Sequence, residues 1–387
     1  MTAIKVDELH HTYVDRGRVV TAVDHISFEV EDNEFYTLLG PSGCGKTTTL
    51  RCLAGLEQPT SGTIELDDVV VFSGRGTVPT HRRDIGMVFQ DYAVWPHMSV
   101  FENVAFPLRC GKRLSGSVLK ERVYEALELV NMTEYADRKA TQLSGGQQQR
   151  LSLARALVRQ PKVLLLDEPL SNLDAKLREQ MRKELRFLQR RVKVATVFVT
   201  HDQVEALAMS NRIAVMNKGV IVQVGTPREI YQTPHSEFVA AFVGATSFLS
   251  GTVAELLPEV GQVALDTRIG RLISSTQVPL SVGDEVTMTV RPESMTVSAD
   301  PFPGPNNIEG VVDIGLFVGD AVDYHIQIGD EVLRVKGDPR SRHRRREKVY
   351  VDIPPSECVV IRREDEGDAE VARPEDVLEP VMIDTTF

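Results

Sequence analysis

Gly40-Pro41-Ser42-Gly43-Cys44-Gly45-Lys46-Thr47 follows directly on the apolar run Phe35 to Leu39, and helical spacing continues from Lys46 to about Ala54. G-x-x-x-x-G-K-[ST] in strand, loop and helix order is the pattern that cradles the phosphates of a nucleotide. Glycines let the backbone wrap close to the anion, while successive amide N–H groups and the helix N-terminus face its oxygens. Lys46 then reaches the β and γ phosphates, and the Thr47 hydroxyl is placed to ligate Mg²⁺. Pro41, Ser42, Gly43, Cys44, Gly45 and Thr48 complete the cradle. The plain alternative is a Gly-rich turn before an ordinary helix, and the apolar strand in front of the loop argues against it.

The run Val163-Leu164-Leu165-Leu166-Asp167-Glu168 is an apolar strand ending in two adjacent carboxylates. Neighbours at a strand end point in different directions, so Asp167 can serve a Mg²⁺ shell while Glu168 aims at an attacking water. Leu143-Ser144-Gly145-Gly146-Gln147 reads as a helix entry with Ser144 as N-cap of a helix over Gln148 to Val158, and its glycines make a second anion-binding turn. Taken singly, His201 after a strand, Tyr13 on an edge strand and Cys44 as a small filler have ordinary structural readings.

The elements that must position these groups follow from patterning. Ile4 to Leu9 and Ile26 to Val30 alternate apolar and polar residues as antiparallel edge strands, and Val163 to Leu166 and Ala195 to Val199 read as buried parallel strands. Between them, Val100 to Asp137 is mainly helical, and the helix Ala175 to Arg191 carries an exposed face of Lys, Arg and Glu. Beyond Pro234 and His235, short alternating runs at Val286–Val290, Gly310–Ile314, Ala321–Ile328, Glu331–Val335 and Val349–Ile353 predict a small β-barrel or sandwich. The Arg340 to Arg346 run reads as a solvated hairpin loop, and the acidic stretch from Glu364 as a flexible tail.

Composition narrows the class. A net charge of -11, from 55 acidic against 44 basic residues, disfavours bulk binding to nucleic acid or anionic lipid. No apolar run reaches the roughly 18 residues a spanning helix needs, so membrane contact would go through a partner. The four cysteines have neither disulfide-framework density nor C-x-x-C spacing, which suits reduced thiols in the cytosol.

With Leu143 to Gln147 lying shortly before the acidic strand, the chain resembles the ATP-binding-cassette (ABC) ATPases, whose signature this pentapeptide is. Gln90 matches that family's glutamine loop, Ser171-Asn172-Leu173-Asp174 its aspartate loop and His201 its switch histidine, while Tyr13 sits where the family stacks an aromatic ring on adenine. The resemblance implies an α/β fold: a P-loop ATPase core with an antiparallel β edge and a helical subdomain of about 91–160, over residues 1–234. It implies a C-terminal OB-like β domain over 235–363, resembling the TOBE-type domain of sugar, polyamine and ferric-iron importer ATPases, before the tail 364–387. Catalytic roles then fall to Glu168, His201, Gln90 and Lys46. Mg²⁺ falls to Thr47, Gln90 and Asp167, and ATP to Tyr13, the loop Pro41 to Thr48, Ser144, Gly145, Gly146, Gln147 and Asp174. Each ATP would lie between the phosphate loop of one copy and Ser144 to Gln147 of a second.

The implied partners are a second copy, membrane permease subunits and, indirectly, an extracytoplasmic solute-binding protein, with no nucleic acid, at the cytoplasmic face of the membrane. Tyr92 to Phe106 and Gly319 to Tyr324 resemble the polyamine and iron branch more than the sugar branch. A soluble cassette ATPase acting on nucleic acid or ribosomes is the rival class, and it usually carries a coiled-coil insertion or a second cassette. A P-loop kinase would leave Leu143 to Gln147 without a purpose.

Overall fold

The computed structural model describes residues 2–15, 17–110, 114–258, 261–276 and 278–362, so the acidic tail expected from Glu364 lies outside the described residues. The chain divides into two compact units, Met1–Pro227 and a second beginning at Arg228.

The first unit opens with the long hairpin β1 (Thr2–Asp15) and β2 (Arg18–Glu31), followed by β3 (Phe35–Leu39) and α1 (Lys46–Ala54). Then come β4 (Ser61–Leu66), β5 (Val69–Ser73), β6 (Gly76–Thr77) and β7 (Ile85–Val88). Helices α2 (Val100–Arg109), α3 (Gly116–Leu129) and α4 (Gly145–Leu157) form the helical insert. The unit continues through β8 (Val163–Asp167), α5 (Ala175–Val192), β9 (Ala195–Thr200), α6 (Gln203–Met209), β10 (Arg212–Asn217) and β11 (Val220–Gly225).

The core sheet runs β11-β10-β3-β9-β8-β7, parallel except for its β10–β11 edge, and an antiparallel sheet runs β2-β1-β4-β5-β6. Strands β3 and β8 are buried at every position, as strands covered on both faces must be. Alternation sorts their side chains into two cores. Leu164, Leu166, Phe35 and Phe198 pack with Val104, Leu127, Leu151 and Leu185 of the helices. Val163, Leu165, Tyr36 and Val197 pack on the other face with Ile4, Phe28, Leu50 and Leu53.

Helix entries are fixed locally. Ser99 with Glu102 and Ser144 with Gln147 make reciprocal capping boxes, and Asp174 and Asp202 cap α5 and α6 by accepting from Leu177 N and Glu205 N.

The second unit contains α7 (Pro227–Gln232), α8 (Glu237–Phe242), β12 (Ser247–Leu256), β13 (Gln262–Thr267), β14 (Gly270–Ser275) and β15 (Glu285–Val290). It continues with β16 (Thr296–Ser298), β17 (Asn307–Phe317), β18 (Val322–Ile328), β19 (Glu331–Gly337), β20 (Lys348–Asp352) and β21 (Cys358–Arg362). Strands β12-β13-β14-β21-β15 close into a five-stranded barrel, and β16-β20-β17-β18-β19 form a sheet whose inner face shares the barrel's core. This is the expected OB-like β domain. Arg291 is pinned inside it: its guanidinium donates to the carbonyls of Ala240, Ala245 and Tyr231 at 3.0–3.1 Å and lies over the Tyr231 ring. The basic Arg340–Arg346 run is exposed as expected but is not a hairpin. It joins β19 to β20, which are not neighbours in the sheet.

Candidate functional site

Four parallel strands bring the sequence-predicted residues to one edge of the core sheet. β3 delivers the loop Gly40 to Gly45, β8 ends at Asp167, β9 at Thr200 just before His201, and β7 leads into Gln90. The carboxyl ends of an open parallel sheet are where such folds place ligands.

Loop geometry explains its glycines. Gly43 and Gly45 have φ of 81° and 103°, in the left-handed region that favours glycine, and a Cβ at Gly45 would run into the Ala22 carbonyl. Gly45 also begins α1 without a side-chain cap, which leaves the first amide groups of the helix for an anion. The Lys46 ammonium is buried and donates to the carbonyls of Gly40 and Pro41 at 2.7 and 2.8 Å, so it is held over the loop. Cys44 is buried, and burial pushes its thiol up and not toward a reactive thiolate.

The Thr47 hydroxyl donates to Asp167 Oδ1 at 3.0 Å, so the two oxygens proposed for one cation already face each other. Burial raises the Asp167 carboxyl, opposed by that hydrogen bond. Glu168, in the left-handed region at φ 42°, turns out of the strand. Its Oε1 lies 3.1 Å from His201 Nδ1, and its Oε2 lies 3.5 Å from Gln90 Nε2. An oxygen, an imidazole and an amide thus converge where a water would need to be oriented. Asn172 ties the arrangement together by donating to the Gln90 carbonyl at 3.0 Å.

Tyr13 is 39% exposed; its hydroxyl bonds to Thr48 Oγ1 at 3.2 Å and to Glu57, and its ring meets the edge of His11. The ring therefore stands beside the first turn of α1 with a face available for stacking.

Ser144 accepts from Gln147 N at 3.4 Å while Gln147 Oε1 accepts from Ser144 N at 2.9 Å. Asp174 caps α5. Among the described residues, no hydrogen bond or ion pair joins Ser144 to Gln147 or Asp174 to the loop Gly40 to Thr48. The structure brings one half of the predicted set to a single sheet end, while the other half is held by its own local capping bonds.

Two residues that sequence reasoning did not single out stand behind this edge. Glu205 is 3% exposed and accepts from Thr200 Oγ1 at 2.6 Å, and Arg178 lies against it. The Asp202-x-x-Glu205 spacing is a capping-box signal that could have drawn attention to Glu205; Arg178 carries none. Elsewhere His10, Asp24 and His25 bring three donor atoms within 4.8 Å, but the imidazoles are stacked at 4.5 Å and 23°. Near-parallel rings do not both point a lone pair in plane at one ion, and His25 Nδ1 is already engaged with Asp24 Oδ1 at 2.8 Å.

The sequence profile described as "ABC transporter" matches residues 23–171, and that described as "TOBE domain" matches residues 288–361. The chain is 46% identical over 353 residues to the trehalose/maltose import ATP-binding protein MalK of Thermococcus litoralis, covering 86% of this chain and 91% of that protein. It is 47% identical over 323 residues to the spermidine/putrescine import ATP-binding protein PotA of Acidothermus cellulolyticus, covering 83% and 82%. The solved dimeric structure of a bacterial ABC transporter cassette is 31% identical with a TM-score of 0.52, covering 58% of this chain and 99% of that one. A post-hydrolysis state of such a cassette, dimeric and bound to ADP and Pi, gives 31% and 0.51 over the same shares. With a phosphate loop, an acidic strand end and a signature turn in this order, and relatives of this identity along most of its length, the chain belongs to the ABC transporter family: it is the ATP-binding, ATP-hydrolysing subunit of an importer and carries a C-terminal TOBE domain.

Proposed function

We propose that two copies of this chain sandwich two ATP molecules and drive a membrane permease that imports polyamines, at the cytoplasmic face of the membrane. The observation that carries this reading is the split site. Lys46, Thr47, Asp167, Glu168, His201 and Gln90 share one sheet edge, whereas among the described residues no hydrogen bond or ion pair joins the second anion-binding turn, Ser144 to Gln147, to the loop Gly40 to Thr48. Head-to-tail pairing supplies each site with Ser144, Gly145, Gly146, Gln147 and Asp174 of the other copy.

In this reading Tyr13 stacks on the adenine, and the loop amides and Lys46 hold the phosphates. Thr47, Asp167 and Gln90 would hold Mg²⁺, which neutralises developing phosphate charge when bound. Glu168 polarises the attacking water; His201, held by Glu168, contacts the γ-phosphate. Trp95 and Phe106, 41% and 37% exposed with ring centroids 5.6 Å apart, make an exposed aromatic pair in the segment after Gln90 that suits docking of a permease helix. Among the described residues no helix is long and apolar enough to cross a membrane, and in this reading the permease is a separate subunit. A solute-binding protein would deliver substrate to that permease from the far side.

Relatives are named for polyamine and for sugar import, and the sugar reading is the alternative within the class. A pull-down from detergent-solubilised membranes tests both levels. Recovery of a multi-span permease is the expected result, and polyamine should then stimulate ATP hydrolysis by the reconstituted complex. Stimulation by sugar would favour the alternative, and recovery of ribosomes or nucleic acid instead would overturn the importer assignment.

A further inference from the structure

Behind Glu168 and His201 the chain closes a ring of polar contacts around a cavity of about 90 Å³. Ser171 binds the Glu168 carbonyl through both its amide N–H (3.2 Å) and its hydroxyl (2.9 Å). Arg178, one turn into α5, donates through Nη2 to the carbonyls of Leu173 at 3.0 Å and Ser171 at 3.4 Å. Its other side faces two carboxylates, with Nη1 3.6 Å from Asp202 and Nε 4.0 Å from Glu205. Glu205 in turn accepts from the Thr200 hydroxyl at 2.6 Å, and that hydroxyl accepts from Asp202 N at 3.0 Å. His201 lies between Thr200 and Asp202 and completes the ring at Glu168, 3.1 Å away.

Three features set this apart from a surface ion pair. Glu205 is 3% exposed and burial pushes its carboxyl up, so its ionised form leans on the Thr200 hydroxyl and Arg178, and Arg178 Nε is buried with no hydrogen bond of its own. One guanidinium also bridges two segments at the ends of neighbouring strands, bonding the carbonyls of Ser171 and Leu173 on one side and facing the side chains of Asp202 and Glu205, just after His201, on the other. A planar fork with five donors suits that task better than an ammonium would.

We infer that Arg178 is a positioning residue that, with Glu205, locks the segment Ser171 to Leu173 to the turn carrying His201 and so fixes the imidazole against Glu168. This rests on the assignment of Glu168 and His201 to hydrolysis proposed above. Arg178 is none of the groups assigned above to nucleotide or water, and its contacts are Ser171, Leu173, Asp202 and Glu205, so its effect passes through His201. Binding of ATP, which uses the loop Gly40 to Thr48, should therefore not depend on it.

The test is a double-mutant cycle on the full chain, using single-turnover hydrolysis of γ-labelled ATP and separate nucleotide-binding and thermal-unfolding measurements. Arg178→Ala should slow hydrolysis about 10- to 100-fold, with ATP affinity within about twofold of wild type. In a His201→Ala background the same change should cost nothing further, because the group it acts through is gone. Glu205→Gln, which keeps the shape and an acceptor for Thr200, serves if Arg178→Ala does not fold, and should show the same dependence on His201. Arg178→Lys should recover only part of the rate. The inference is overturned if Arg178→Ala hydrolyses ATP at the wild-type rate, if it slows hydrolysis equally in both backgrounds, or if affinity falls in step with rate. If His201→Ala alone hydrolyses at the wild-type rate, the assignment of His201 fails and the positioning role with it. A slow His201→Ala beside an unaffected Arg178→Ala sinks only the positioning role.

Discussion

Replacing Glu168 by glutamine lowers the rate of ATP hydrolysis by two or more orders of magnitude while ATP binding stays nearly intact. The amide matches the carboxylate in size and keeps an oxygen toward His201 or Gln90, so the contacts at 3.1 and 3.5 Å can be largely preserved. What disappears is the negative charge that draws a proton from water, a loss on the order of 3 kcal/mol in the barrier. Lys46, Thr47 and Asp167 do not depend on Glu168 for their own bonds, so phosphate contacts survive. With ATP bound and hydrolysis blocked, the variant should accumulate as a dimer on size-exclusion chromatography. Wild-type turnover in Glu168→Gln would mean that the catalytic group at this strand end is a different one.

Lys46→Ala should fail at an earlier step, losing nucleotide affinity and the ATP-induced dimer together. The ammonium bridges the carbonyls of Gly40 and Pro41 from a buried position, so removing it takes away the charge presented to phosphate and leaves two loop carbonyls unpaired. A hydrogen bond to a charged group contributes about 1.5–3 kcal/mol, so affinity should fall on the order of 10- to 100-fold. Titration with a fluorescent ATP analogue reads this directly; unchanged affinity with reduced turnover would make Lys46 a transition-state contact only.

The contrast between these variants depends on features of unequal legibility in the sequence. The phosphate loop was fully legible because its strand, glycines and helix are contiguous and each obeys a local rule. The same holds for β3, α1, β8 and β9, whose bounds the apolar runs nearly define. The β1–β2 hairpin was only partly legible. Its strands run Thr2–Asp15 and Arg18–Glu31, but register shifts after Val6 and Leu9, with Glu8 and His25 at positive φ, break the alternation that marks a strand. Strands β12 to β14 escaped notice because their apolar positions are short and interrupted by Thr, Ser and Asp, and β21 because its apolar run, Cys358 to Ile361, is only four residues long.

The charged face of α5 misled in a more instructive way. Lys, Arg and Glu at helical spacing read as a solvated stripe, and Lys183–Glu179 is one such exposed pair. Yet Arg178 on the same helix turns inward, and Arg150 pairs with its Glu184 at 2.7 Å from α4. Periodicity tells which face of a helix is apolar, not which charged residue at its edge will find a buried carboxylate two elements of structure away. Likewise the absence, among the described residues, of any bond between the turn Ser144 to Gln147 and the loop Gly40 to Thr48, which underlies the proposed split site, is a property of the folded chain, invisible in their order along it.

That split makes specific activity as a function of protein concentration the most direct test of the account. If each site needs the loop of one copy and Ser144 to Gln147 of another, hydrolysis at saturating ATP must rise more steeply than the first power of protein concentration. Specific activity should collapse on dilution toward monomer. A specific activity that stays flat through that dilution, with monomer verified by light scattering, would mean that one chain hydrolyses ATP alone and would contradict the shared site.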